Sequence, residues 1–152
     1  KTGRPGASSA EVTTSTYADV ENSPLYPFGY GLSYTNFDYS ELKLSGDKMN
    51  RKNMISASIN ITNSGDFKGK EVVQMYIRDH SGSLARPVKE LKGFELIELN
   101  PGETKEVVFQ IDNSSLTYFT ANDKWESEIG KFSVYIGSNS DVQKNKSFNL
   151  TN

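Results

Sequence analysis

The sequence predicts an all-β sandwich, on three observations. Short runs of alternating apolar and polar residues recur along the chain, the cleanest being Ile55, Ala57, Ile59 and Ile61 against Ser56, Ser58 and Asn60. A period of two puts one set on a buried face and the other outside. Clusters of Asn, Gly, Pro and Asp separate the runs, and these residues supply turn chemistry. No segment carries a sustained helical period of apolar residues.

From Lys1 to Asn22 the chain is polar and rich in Ser, Thr, Gly and Ala, with scattered apolar residues such as Val12, Tyr17 and Val20. It reads as a linker, or as a segment that packs on something else. From Pro24 to Tyr34 aromatics alternate with Pro and Gly. That density of Pro and Gly excludes a helix, yet the aromatics are too many for a solvated loop, so the segment wants a surface to cover. Residues 1–35 are therefore expected to be a linker and aromatic docking segment leading in from a preceding domain. Leu25, Tyr26, Phe28, Tyr30, Leu32 and Tyr34 are its candidate docking residues. Residues 36–152 are expected to form the sandwich.

Phe37 and Tyr39, then Leu42 and Leu44, predict a first strand with a bulge where the apolar parity shifts. The Ile55–Ile61 run is the second strand. After the turn residues Asn63-Ser64-Gly65-Asp66, Val73, Met75 and Ile77 mark a third. Val88 to Leu99 is apolar at Val88, Leu91, Phe94 and Ile97 and broken by Gly93, which predicts one or two irregular strands. Asn100-Pro101-Gly102-Glu103 suits a type II turn with Gly102 at positive φ, leading into Val107, Phe109 and Ile111. Asn113 to Gly130 is the least regular stretch, with one short helical turn expected over Ser114–Phe119. Phe132, Val134 and Ile136 form the next strand, and Phe148 with Leu150 the last. About seven short strands around two inner faces is the pattern of an immunoglobulin-like or fibronectin type III-like sandwich.

Composition narrows the function classes. At 152 residues one domain is expected. With 17 basic and 19 acidic residues, a net charge of -2 and no block of like charge, neither nucleic acid nor a membrane is an expected partner. The chain has no Cys and a single His, His80, so neither a disulfide framework nor a metal site is expected. No apolar run approaches the ~20 residues of a membrane helix, and no signal pattern precedes the first strand. A sequence starting at Lys1 reads as a piece of a longer polypeptide.

The motif Pro24-Leu25-Tyr26-Pro27-Phe28-Gly29-Tyr30-Gly31-Leu32-Ser33-Tyr34-Thr35-Asn36-Phe37 resembles the segment that introduces the C-terminal domain of glycoside hydrolase family 3 enzymes. Arg86-Pro87-Val88-Lys89-Glu90-Leu91-Lys92-Gly93-Phe94, Leu99-Asn100-Pro101-Gly102-Glu103, and Trp125 with Gly130 to Gly137 continue the resemblance in order. Lys1-Thr2-Gly3-Arg4-Pro5 resembles the end of the preceding α/β domain. The resemblance implies a multidomain retaining glycosidase of β-glucosidase-like or β-xylosidase-like type. Its Asp nucleophile would sit on an N-terminal barrel and its acid/base on that barrel or the next domain, neither in this chain. It further implies a non-catalytic accessory domain without a cofactor, partnered by the catalytic domains of the same polypeptide. Such a domain meets oligosaccharide through the parent's active site, in a periplasmic or extracellular setting.

A glycosidase needs two carboxyl groups ~5–5.5 Å apart for retention or ~6.5–9.5 Å for inversion. Asp66 with Glu71, or Glu126 with Glu128, supply the residue types, but carboxylates on an all-β surface are ordinarily solvated. Asp79-His80-Ser81 holds the residue types of a nucleophile triad, but neighbours in an extended chain point apart. Trp125 could stack on a pyranose, although the lone Trp of a sandwich usually packs in or over its core. Arg86, if exposed, could reach toward outer substrate subsites; the plainer expectation is a solvated Arg on a loop. Two other functions stay open: an independent carbohydrate-binding module, and a cell-surface protein-binding domain suggested by fold alone.

Overall fold

The computed structural model describes residues 23–152; the linker expected over residues 1–22 lies outside the described residues. The elements are β1 (Phe37–Tyr39), β2 (Lys43–Leu44), β3 (Lys48–Met49), β4 (Ile55–Asn63), β5 (Gly69–Asp79), β6 (Glu90–Leu99), β7 (Thr104–Ile111), α1 (Asn113–Leu116), β8 (Tyr118–Phe119), β9 (Trp125–Glu126), β10 (Gly130–Gly137) and β11 (Asn145–Leu150). β4 is the centre of one sheet, antiparallel to β7 on one side and to β1 and then β2 on the other. The second sheet runs β3-β11-β10-β5-β6, antiparallel except where β3 lies parallel to β11. β8 and β9 form a separate small hairpin.

The expected bulge in the first strand is present. From Tyr39↔Ile61 to Lys43↔Ser58, four steps on that strand match three on β4, so one residue is extra and the parity of apolar positions changes. β4 buries Ile55, Ala57, Ile59 and Ile61, as its alternation predicts. Across the core lie Val73, Met75 and Ile77 of β5, Phe132, Val134 and Ile136 of β10, and Phe148 and Leu150 of β11. The Phe132 and Phe148 rings stack at 5.6 Å. Each such side chain contributes roughly 1.5–3 kcal/mol on burial. Gly102 has φ +75°, the left-handed conformation the Pro-Gly turn requires.

Of the one or two irregular strands expected over Val88–Leu99 there is one, β6, and its irregularity is a bulge: its pairing moves from Met75↔Gly93 to Tyr76↔Leu91, leaving Lys92 extra. One expectation needs correction. The helical turn spans Asn113–Leu116, not Ser114–Phe119. Asp112 caps it by accepting from the Ser115 amide, and Thr117 is already extended at φ -70°, ψ 150°. Residues 118–119 are instead strand. β3 was not foreseen, because two residues cannot show a period.

The two outward faces differ. On the β4 sheet, Ser56, Ser58, Asn60 and Thr62 lie in register with Gln110, Val108, Glu106 and Thr104, a mainly polar surface. On the β5 sheet the outward positions are Val72, Gln74 and Tyr76, paired with Leu96, Phe94 and Leu91, with Tyr135 of β10 beside Tyr76.

Candidate docking face and its flanking loops

Alternation alone would leave Gln74 and Tyr76 in solvent, yet both are buried: the aromatic segment lies over Gln74, and Tyr76 is tied to the Gln74 carboxamide. The Gln74 Nε2 donates to the Gly29 carbonyl at 3.1 Å and to the Ser138 carbonyl at 2.6 Å. Tyr76 Oη donates to Gln74 Oε1. The Ser140 amide donates to the Phe28 carbonyl at 2.9 Å, and the Tyr30 amide closes a turn onto the Pro27 carbonyl at 3.1 Å. Gly29 has φ +79°, and a Cβ there would overlap the Gln74 carboxamide; only glycine fits both demands. Residue Thr35 then enters the sandwich, donating its hydroxyl to the buried Asn63 Oδ1 at 2.6 Å.

The segment is thus fixed by its backbone while its side chains face outward. Leu25, Tyr26, Phe28, Tyr30, Leu32 and Tyr34 are all exposed, Tyr34 at 97%, and the Tyr26 and Tyr30 rings stack at 5.0 Å. Phe94, 68% exposed, with Leu96 and Val72, extends the apolar surface from Gln74 onto β6. Sequence reasoning had placed Phe94 only as a strand residue. Part of the signal was there: Val72, Phe94 and Leu96 oppose the inward parity of Val73, Ile97 and Leu99, the mark of a strand pair apolar on both faces, whereas Leu91 joins them only through the bulge at Lys92.

Arg86 is not the exposed, solvated residue expected. Its side chain is 10% exposed and that of its partner Asp79 4%. Nη1 binds Asp79 Oδ2 at 3.0 Å, Nη2 binds Glu90 Oε1 at 2.7 Å, and the guanidinium lies 4.4 Å from the centre of the Tyr118 ring. Burial acts to raise the Glu90 carboxyl, but hydrogen bonds from Lys92 and Arg86 outweigh it and hold the group below its ordinary value. Ser83 donates its amide and hydroxyl to Glu128. Lys89 donates to the Ser140 and Val142 carbonyls and lies over the Tyr135 ring at 4.3 Å; burial lowers the pKa of its ammonium. Ser140 therefore joins Lys89, the last residue of the Arg86 loop before β6, to Phe28, so the structure brings the aromatic segment and the end of that loop together.

Trp125 departs from the core packing usual for a lone sandwich Trp. It sits on β9, 70% exposed, edge-on to Phe119 at 5.9 Å and 65°. Of the other candidates, Glu71 accepts from Tyr39 Oη at 2.6 Å and is raised by burial. Glu128 is engaged by Ser83. Asp79 faces Arg86, while His80 Nε2 pairs with Ser133 Oγ at 2.9 Å; the triad residue types are not assembled as a relay. Among the described residues no cluster of three or more His, Cys, Asp or Glu could hold a metal ion, and no helix is long and apolar enough to cross a membrane.

A family model for the fibronectin type III-like domain matches residues 71–140. Over 137 residues, 90% of the chain, it is 50% identical to the periplasmic β-glucosidase of Salmonella typhimurium, covering 18% of that protein. The chain belongs to the fibronectin type III-like domains of glycoside hydrolase family 3. This fibronectin type III-like domain is also 40% identical over 135 residues to a β-xylosidase of Formosa agariphila, covering 89% of this chain and 19% of that one. The crystal structure of a Listeria innocua β-glucosidase in complex with glucose superposes with a TM-score of 0.82 at 35% identity, over 93% of the domain and 20% of that chain. The domain spans about a fifth of the length of these relatives.

Proposed function

We propose that this domain is a non-catalytic docking unit of a β-glucosidase-like or β-xylosidase-like glycosidase. It stabilises the catalytic domains of the same polypeptide by packing the outward face of its β5 sheet against them. The observation that carries this is the asymmetry of the two sheets: one outward face is polar, the other apolar and continuous with an aromatic segment already fixed to it. An apolar patch of this kind on a domain surface marks an interface. Relatives about five times longer supply the partner, the remainder of the chain. On this reading oligosaccharide is bound by the parent's active site, and the loop stiffened by Arg86 is the part of the face that shapes the outer subsites. The parent would work in the periplasm or outside the cell, a setting supported by the name of the Salmonella relative.

The test is hydrolysis of p-nitrophenyl β-glucoside and β-xyloside by the 152-residue chain, alone and mixed with separately expressed catalytic domains. No turnover alone and a gain on mixing support the reading. Turnover by the chain itself, or no gain on mixing, overturns it.

A further inference from the structure

The geometry points to a second, separate site: the β8–β9 hairpin presents Trp125, edged by Phe119, as a stacking platform for one pyranose ring of a β-linked gluco- or xylo-oligosaccharide. A ring left 70% exposed returns little of its hydrophobic free energy to folding, yet the hairpin that carries it is heavily tied down. At its root Ser127 donates to Asn113 Oδ1 at 2.6 Å, and Arg51 Nη2 donates to the Ser127 carbonyl at 2.9 Å. Beneath it the Tyr118 ring is covered by the Arg86 guanidinium, and Tyr118 Oη pairs with Ser83 Oγ at 3.1 Å. At its tip the Thr120 amide and hydroxyl both donate to the Lys124 carbonyl, at 2.8 and 3.1 Å. The Asp123 amide donates to the Thr120 carbonyl at 3.1 Å, with Asp123 itself at φ +57°. The edge-on Phe119 fixes the tilt of the Trp ring. Rigid aromatic groups bind with little entropy left to lose.

The surroundings distinguish this site from the docking face. Protein interfaces are depleted of charge at their core, and the Val72, Phe94 and Leu96 surface fits that description. Trp125 instead lies on a hairpin whose exposed tip carries Asn122, Asp123 and Lys124, a polar setting with donors and acceptors of the kind that sugar hydroxyls pair with. The choice of β-linked glucose or xylose chains rests on the β-glucosidases and β-xylosidases to which the domain is similar. It does not require the docking reading to hold.

Because Trp125 is the only Trp beside eight Tyr, fluorescence excited at the red edge, where Tyr does not absorb, reports this site alone. Titration with cellohexaose and xylohexaose should give a saturable change with at least one of them and none with maltohexaose. Phe119→Ala should weaken binding by about tenfold. In Trp125→Ala, checked for an unchanged melting temperature, amide chemical shift changes at Lys124 and Glu126 should disappear; Trp125→Phe should retain part of the binding. No saturable response to either β-linked hexaose, an equal response to maltohexaose, or a fluorescence change only when the catalytic domains are added would each overturn the proposal. The last would make the hairpin a protein contact.

Discussion

Arg86 binds Asp79 and Glu90 with one guanidinium and covers the Tyr118 ring. Arg86→Met would leave the nearly buried Asp79 without its counter-charge, and breaking a buried pair on one side costs about 3 kcal/mol. A fall in melting temperature of roughly 10 °C is expected by calorimetry. Glu90 makes the effect pH-dependent. Its folded-state carboxyl is held below the ordinary 4.5, so its contribution is complete above that pH and is lost as pH falls through the depressed value. Urea midpoints measured downward from pH 6 should therefore drop below about pH 4.5 in the native chain and drop less steeply in Arg86→Met. None of this was legible in sequence, because Tyr118 lies far along the chain and only folding sets it against the β5–β6 loop.

At the scale of the element, the aromatic segment is secured by few bonds, and Gly29 is the position on which they turn. Gly29→Ala must both leave φ +79° and displace the Gln74 carboxamide. The expected outcome is release of residues 27–30 from the sheet, seen as lost hydrogen-exchange protection of the Tyr30 and Ser140 amides, with little change in the sandwich core. The Pro, Gly and aromatic content announced a segment that needs a surface, but not that the surface is its own domain's sheet, since that depends on Gln74, Ser138 and Ser140 converging in space. β4 was legible because nine residues show four alternations. β3, β8 and β9, two residues each, are held by neighbours rather than by any pattern of their own.

For the whole molecule, the unequal faces carry the functional argument. Phe94→Asp and Leu96→Asp lie on the surface of β6 and should leave the unfolding free energy from urea titration within about 0.5 kcal/mol of the native chain. The same variants should abolish the gain in glycosidase activity on mixing with the catalytic domains, while Val108→Asp on the opposite sheet should not. Fold class was readable from alternation and turns, whereas the choice of outward face was not, since period-2 reasoning assigns one face to the core and is silent about a second covering. The parallel pairing of β3 with β11 has a further bearing. Lys48 meets Asn149 and Met49 meets Leu150, so the buried Met49 waits for nearly the last residues of the chain. β11 also lies between β3 and β10 and supplies Phe148 and Leu150 to the core. Such distant pairings slow folding. During synthesis the sandwich can close only after Leu150 has cleared the ribosome, so a docking surface made by this domain would form only on a polypeptide translated through to that strand.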